Sequence, residues 1–281
     1  MEIVPEPEWQ ILFEDIKKHA GATMIMGATD SGKTTLARFL IKKFVLENIK
    51  VCLVDSDVGQ SSIGIPGTIS IKVFSGEKEF EDFTFEKMIF VGSTNPAMKI
   101  HSIIEGTQRM TSTCRENSDY VVIDTSGLVS GELGKALKIN KIKKIQPELV
   151  IALQRGDELE HILSVMEDIP IRRIKASRMA KVRGREARMR YRTKKLLAYF
   201  DERELNDFVL STSGEKFFYN RKPIHPGHID FAKGTLIGLN QDGDTLALGA
   251  LTEITDEYVT FRSPIKSLKK INQVVFGDMK I

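Results

Sequence analysis

The chain has 281 residues, with 41 Lys and Arg against 38 Asp and Glu, and its formal net charge of +3 excludes a dedicated nucleic-acid coat protein. With 41% apolar and 28% charged residues, it is not a disordered, collagenous or disulfide-stapled chain either. The length admits one large domain plus a small one, since single cores stop growing at roughly 250 to 300 residues.

In chain order, Trp9, Leu12, Phe13 and Ile16 recur at helical spacing behind Pro5 and Pro7 and predict a short amphipathic helix in an N-terminal extension, 1–20. An apolar run at 22–26 leads into a glycine loop and then a helical pattern with Leu36, Phe39, Leu40 and Phe44 on one side. Further runs at 51–54, 88–91, 120–123 and 149–153 read as strands separated by helix-length segments. Continuous apolar strands alternating with helices indicate an α/β fold, a mostly parallel sheet flanked by helices. Beyond the large domain, 1–214, short runs at 235–239, 245–251, 258–261 and 273–276 are punctuated by Gly, Pro and Asp, which predicts a small β-rich C-terminal domain, 215–281.

Cys52 and Cys114 lie far apart without C-x-x-C spacing and read as reduced thiols of a cytoplasmic protein. The N-terminus lacks an apolar leader, and no run approaches the roughly 18 residues of a membrane span, so neither export nor a membrane anchor is expected.

The charge is unevenly placed. Between Arg172 and Lys195 lie twelve basic residues and one acid, Glu186, so this stretch carries +11; subtracting it from the net +3 leaves −8 on the rest. A local field of this size attracts phosphates whatever the net charge. If the stretch from 186 to 199 is helical, Arg188 and Arg192 share a face with Arg185 one turn earlier, and Met189, Leu196 and Phe200 supply an apolar side for docking.

The segment Gly27-Ala28-Thr29-Asp30-Ser31-Gly32-Lys33-Thr34, followed by Thr35, is a complete G-x-x-x-x-G-K-[ST] element between the first strand and the first helix, as a P-loop NTPase requires. Its amides would cradle the β-phosphate, Lys33 would reach the β- and γ-phosphates, and the Thr34 hydroxyl would take one place on Mg²⁺. Asp55 and Asp57 follow the second strand in Asp55-Ser56-Asp57-Val58-Gly59-Gln60. One acid can hold Mg²⁺ while the other accepts a proton from an attacking hydroxyl. Spacing leaves the assignment open; Asp57 lies further from the strand and is favoured as base, with Asp55 on the metal side. Asp124, at the end of the strand read at 120–123 and followed by Thr125, Ser126, Gly127 and Leu128, resembles the magnesium and γ-phosphate sensor of hydrolytic switches and taken alone favours a GTPase. Gln154 and Arg155 follow a strand end where nucleotide-binding sheets touch the base, and no N-K-x-D signature selects guanine.

Together these motifs resemble the polynucleotide 5′-hydroxyl kinases whose eukaryotic members act in pre-mRNA 3′-end processing, tRNA splicing and ribosomal RNA maturation, especially their compact archaeal and bacterial relatives. The resemblance rests on the loop at 27–34, the D-x-D-x-G-Q motif at 55–60 with Ile65-Pro66-Gly67-Thr68-Ile69, the Thr125-Ser126-Gly127 clasp, Gln154-Arg155-Gly156-Asp157 and the R-x-x-x-R element Arg188 to Arg192 in a basic lid, 172–200. It implies a P-loop kinase domain that moves the γ-phosphate of ATP or GTP, with Mg²⁺, to the 5′-hydroxyl of RNA or DNA, and it names no protein partner. The implied roles fall on Lys33, Asp57, Arg188 and Arg192 for catalysis. Gln60, Thr94, Asn95, the clasp residues 125–128 and Arg185 fall on the acceptor side. Leu128 stands where the family's clasp carries an aromatic. The competing readings are a regulatory GTPase or ATPase switch and a nucleotide-loaded scaffold for RNA ends.

Overall fold

The computed structural model describes residues 5–81, 83–166, 168–177, 180, 182–213 and 216–281. Helix α1 (Pro7–Ile16) buries Trp9, Leu12, Phe13 and Ile16, the four positions that the spacing singles out. Strand β1 (Gly21–Gly27) and helix α2 (Lys33–Leu46) flank the glycine loop. They are followed by β2 (Val51–Ser56), β3 (Thr68–Phe74), α3 (Glu77–Glu81), β4 (Lys87–Phe90), α4 (Ile100–Asn117) and β5 (Tyr120–Thr125). Next come α5 (Gly131–Ile145), β6 (Leu149–Gln154), α6 (Glu160–Leu163), β7 (Ile171–Lys175) and the long α7 (Arg185–Asp201).

Strands β2, β5, β1, β6 and β7 lie side by side and parallel, in that order. Their alternate faces feed two cores. One, under α4 and α5, holds Met24, Val54, Ile123, Ile103 and Leu137. The other, under α1 and α2, holds Ile25, Leu53, Val122, Phe13 and Phe44. Burial on both faces is why β1, β2, β5 and β6 read as unbroken apolar runs.

The sheet does not stop at β2. Strands β3 and β4 continue it in antiparallel register. Thr245 pairs with Met88 and its Oγ1 accepts the Phe90 amide at 2.8 Å, which joins β4 to β12 (Asp244–Ile254). The C-terminal strands β9 (Phe217–Tyr219), β10 (Lys222–Pro223), β11 (Thr235–Gln241), β12, β13 (Tyr258–Ser263) and β14 (Gln273–Lys280) pack their own core around Phe217, Phe261 and Phe276. Strand β8 (Asn206–Ser211) lies N-terminal to residue 214 yet pairs along its whole length with β13. Residues 214 and 215, where the sequence changes character, are outside the described residues.

Two expectations change here. Cys52 and Cys114, read as reduced thiols, form a disulfide joining β2 to α4. Their separation of 62 residues hid this, because α4 packs directly on β2 and brings the two Cα atoms to 5.6 Å. The basic stretch is also not one lid. It opens with edge strand β7, where Arg172 pairs with Asp15 at 2.5 Å and Arg173 with Glu160 at 2.9 Å, so these two charges fasten the sheet edge. Arg178 and Lys181 lie outside the described residues.

Among the described residues, no helix is long and apolar enough to cross a membrane.

Candidate active site

Strands β1, β2, β5 and β6 end at the same edge of the sheet, at Gly27, Ser56, Thr125 and Gln154, and parallel strand ends of this kind open a ligand crevice. The loop 27–34 leaves β1 at this edge. Asp30 and Gly32 hold left-handed backbone there, at φ 57° and 98°; Gly32 is the N-cap of α2, a position that glycine occupies without steric cost. Ser31 is fully buried and its Oγ has no hydrogen-bond partner among the described residues. Lys33 is 6% exposed, and its Nζ donates to the Ala28 carbonyl at 2.7 Å, inside the loop that would hold a phosphate. Burial lowers the pKa of this ammonium, and the charges of Asp124, Asp57 and Asp30 oppose the shift.

The Thr34 hydroxyl donates to Asp124 Oδ2 at 2.6 Å. The other oxygen of Asp124 is buried without a partner. Burial first, and the Asp55 charge second, push the Asp124 carboxyl up to about 7. A raised carboxyl pKa means that the folded state holds its proton where the unfolded chain has already released it. The ionised group therefore withdraws stability progressively as pH rises from about 4 to about 7. Asp124→Asn lacks this term, so it should melt a few degrees above the unaltered protein at pH 8 and show a smaller difference at pH 5, by differential scanning calorimetry at the two pH values.

Asp55 is built differently. It is fully buried, and its Oδ2 accepts from Ser61 Oγ at 2.9 Å, Ser62 N at 2.5 Å, Ser62 Oγ at 3.0 Å and Ile63 N at 3.2 Å, while Oδ1 accepts from Asp57 N at 3.1 Å. The residue expected on the metal side is thus saturated by its own loop, despite a pKa raised by burial and then by Asp57. Asp57 is half-buried, and its Oδ1 accepts the Gly59 and Gln60 amides, both at 3.0 Å, in a tight turn. Gln60 enters through its backbone, with a half-buried side chain.

The clasp lies against the phosphate loop. A Cβ on Gly127 would come within 2.5 Å of the Thr29 nitrogen and Cα, so only glycine allows this approach. Gly127→Ala is expected to cost about 1–3 kcal/mol of stability by overpacking backbone against backbone, measured by urea denaturation. Thr125 does not face the crevice: its hydroxyl is buried and donates to the Ile25 carbonyl at 2.8 Å. Ser126 is 2% exposed with an unpartnered Oγ, and Leu128 is half-buried against the core under α4 and α5.

Two fully buried lysines of α5 stand behind these loops. Lys138 Nζ donates to Thr125 Oγ1 at 2.8 Å and to the Ser126 carbonyl at 2.6 Å; Lys141 Nζ donates to Ser56 Oγ at 3.0 Å. Burial lowers both pKa values, that of Lys141 to about 7.

Helix α7 rides on the segment after the D-x-D turn. Lys195 Nζ donates to the carbonyls of Ser61, Ser62 and Gly64 at 2.8, 2.9 and 3.1 Å, and the Tyr191 hydroxyl to Ser61 O at 2.8 Å. Farther along, Leu196, Tyr199 and Phe200 are buried against Met88, Phe90, Leu236 and Leu248. Met189, expected on this apolar side, is instead 57% exposed and borders an outer groove with Leu197. The N-terminal half of the helix stands over polar loops, so its contacts there are made by charged and hydroxyl groups. Arg188 Nη1 is 3.6 Å from Asp30 Oδ2 of the phosphate loop, and Arg192 Nη1 donates to Thr94 Oγ1 at 3.3 Å. Asn95, next to Thr94, accepts the Ala97 amide at 3.1 Å and so caps a 3-10 turn. Arg185 is exposed at the first turn of α7.

On the β6 side, Arg155 Nη2 donates to the Asp30 carbonyl at 2.7 Å, and Gln154 Nε2 to Glu160 Oε1 at 2.8 Å. Lys138, Lys141, Tyr191 and Lys195 are the site groups absent from the expected set; Asp124 was expected only as a switch-like magnesium and γ-phosphate sensor. For Asp124 a signal existed, the acid at a strand end before a small-residue loop. The two α5 lysines gave none, because Lys135, Lys143 and Lys144 on the same helix look identical in sequence.

Comparison with known proteins agrees with this geometry. The model of the mRNA cleavage and polyadenylation factor CLP1 P-loop family matches residues 27–202. A polyribonucleotide 5′-hydroxyl-kinase of Pyrococcus furiosus is 28% identical, over 94% of this chain and 88% of its own length. One of Methanocaldococcus jannaschii is 36% identical, over 78% of this chain and 62% of its own length. In the solved structures, the Clp1p–Pcf11p complex aligns with 97% of this chain and 78% of its own, at a TM-score of 0.73 and 12% identity, which shows a shared fold.

Proposed function

Because the chain belongs to the CLP1 P-loop family, we propose that it is an NTP-dependent polynucleotide 5′-hydroxyl kinase, transferring the γ-phosphate of ATP or GTP to the 5′-hydroxyl end of RNA, with DNA ends as a second acceptor to be compared. The observation that carries this reading is the bridge made by α7: Arg188 beside Asp30 of the phosphate loop, and Arg192, one turn on, at Thr94 on the opposite loop. A hydrolytic switch needs only water opposite its γ-phosphate, whereas paired guanidiniums between two loops suit a phosphoryl group passing from one oxygen to another.

In this reading the amides of 28–34 and Lys33 hold the β- and γ-phosphates. Asp57 accepts the proton of the 5′-hydroxyl, that oxygen bonds to the γ-phosphorus, and the bond to the β–γ bridging oxygen breaks to leave a nucleoside diphosphate. Arg188 and Arg192 take up the charge on the transferring oxygens. Gln154 and Arg155 border the nucleotide, while Gln60, Thr94, Asn95, Arg185 and the clasp residues Ser126, Gly127 and Leu128 border the acceptor, with Thr125 holding the clasp from behind.

The residues fit Mg²⁺. Thr34 and Asp124 are bonded to each other, Asp124 Oδ1 is buried without a partner, and the described residues contain no cluster of three or more His, Cys, Asp or Glu that would form an all-protein cage. Magnesium takes one or two protein ligands and fills its remaining positions with phosphate and water. We therefore assign Thr34 and Asp124 to hold the ion, with Asp55 organising the loop. When bound, Mg²⁺ would supply positive charge that offsets the negative charge of the NTP phosphates. An NTP donor and an RNA acceptor suit the cytoplasm.

The test compares oligomers that differ only at the 5′ end. RNA and DNA ending in 5′-hydroxyl should gain label from γ-labelled ATP or GTP, and 5′-phosphorylated oligomers should not. Equal labelling of both ends, or of neither, defeats the reading.

A further inference from the structure

Burying an ammonium is costly, and lysines are rarely found fully buried without partners. Helix α5 buries two, Lys138 and Lys141, on the face it shares with Leu137 and Ile142, while Lys143 and Lys144 remain in solvent. Both amines end on crevice-forming loops. Lys138 joins the Thr125 hydroxyl to the Ser126 carbonyl, and Thr125 in turn donates to Ile25 of β1. Lys141 joins Ser56, the residue between the two aspartates, whose hydroxyl donates to the Asp124 carbonyl at 2.8 Å. One helix face thereby ties the ends of β1, β2 and β5 together from below, and each tie lands next to a different part of the crevice.

We propose that Lys138 and Lys141 are positioning residues of phosphoryl transfer with separable tasks: Lys138 sets the clasp that borders the acceptor, and Lys141 sets the turn that carries Asp57. The proposal rests on the kinase reading. Neither lysine reaches the reacting atoms. Each acts through a loop, and a loop displaced by about 1 Å can cost on the order of 10²-fold in rate.

The experiment is steady-state kinetics of Lys138→Met and Lys141→Met with a 5′-hydroxyl RNA oligomer, with melting temperatures taken alongside. Methionine fills similar space without charge, so the folded protein should persist. For Lys138→Met the acceptor KM should rise about tenfold and the NTP KM stay within about twofold. For Lys141→Met kcat should fall about 10- to 100-fold with both KM values nearly unchanged. Ser56→Ala should show at least the Lys141→Met loss, and the double variant should lose no more than Ser56→Ala alone, since that substitution already removes the Lys141 contact along with the Asp124 one. If Lys138→Met fails to fold, Thr125→Val, which removes one partner of the amine, should show the same rise in acceptor KM. Variants that transfer at wild-type kcat and KM overturn the proposal, as do variants whose kcat falls only in proportion to lost folded protein. A wild type that transfers no phosphate overturns the kinase reading and this proposal together; a wild type that transfers, matched by its variants, overturns the proposal alone.

Discussion

Asp57→Asn should lower kcat for 5′-end phosphorylation by about 10³-fold, within the range set by loss of a general base, while NTP affinity stays within about twofold. The separation follows from the turn. The hydrogen bonds from Gly59 and Gln60 both land on Oδ1, and an amide oxygen accepts them equally well, so the substitution removes basicity and keeps geometry. Single-turnover labelling with saturating NTP and RNA measures the chemical step. Near-wild-type turnover in Asp57→Asn would move the base to another residue. Asp55 is not the obvious replacement, because its oxygens are held by Ser61, Ser62, Ile63 and the Asp57 amide.

The second large effect belongs to the lid arginines. Arg188→Ala with Arg192→Ala should lower kcat by about 10³- to 10⁴-fold, as loss of transition-state guanidiniums does in other phosphoryl transfers, and raise acceptor KM by less than about tenfold. The melting temperature should change little. Helix α7 is held by Lys195 and Tyr191 on the 61–64 segment and by buried Leu196, Tyr199 and Phe200, none of which these substitutions touch. An effect confined to acceptor KM would assign the arginines to substrate capture.

Much of this was legible in the residues. Four of the five parallel strands, β1, β2, β5 and β6, announce themselves as apolar runs because both faces are covered, and the phosphate loop carries its mechanism in its spacing. Strand β7 was hidden because it lies at the sheet edge: only Ile171 and Ile174 face inward, and Arg172 and Arg173 make its outer contacts. Strand β3 reads as a continuation of the 55–69 motif, and its pairing with β2 and β4 depends on chain reversals that sequence spacing does not encode. The disulfide, the α5 lysines and the bond between Thr34 and Asp124 share one cause. Each joins residues brought together by packing across 62, 12 to 85, and 90 positions of sequence, and residue type alone does not show which lysine or which aspartate turns inward. The charge contrast between the basic stretch and the acidic remainder was visible at once. Its resolution into sheet-edge ion pairs and a two-arginine bridge needed the strand and the helix in place.

In the kinase reading this crevice delivers a γ-phosphate to a 5′-hydroxyl rather than to water. The most direct measurement follows both products at once: nucleoside diphosphate released and label gained by a 5′-hydroxyl RNA oligomer, from γ-labelled ATP or GTP with Mg²⁺. One label gained per diphosphate formed, with little diphosphate when RNA is withheld, is the predicted result. Steady diphosphate production with no label on the RNA would contradict it.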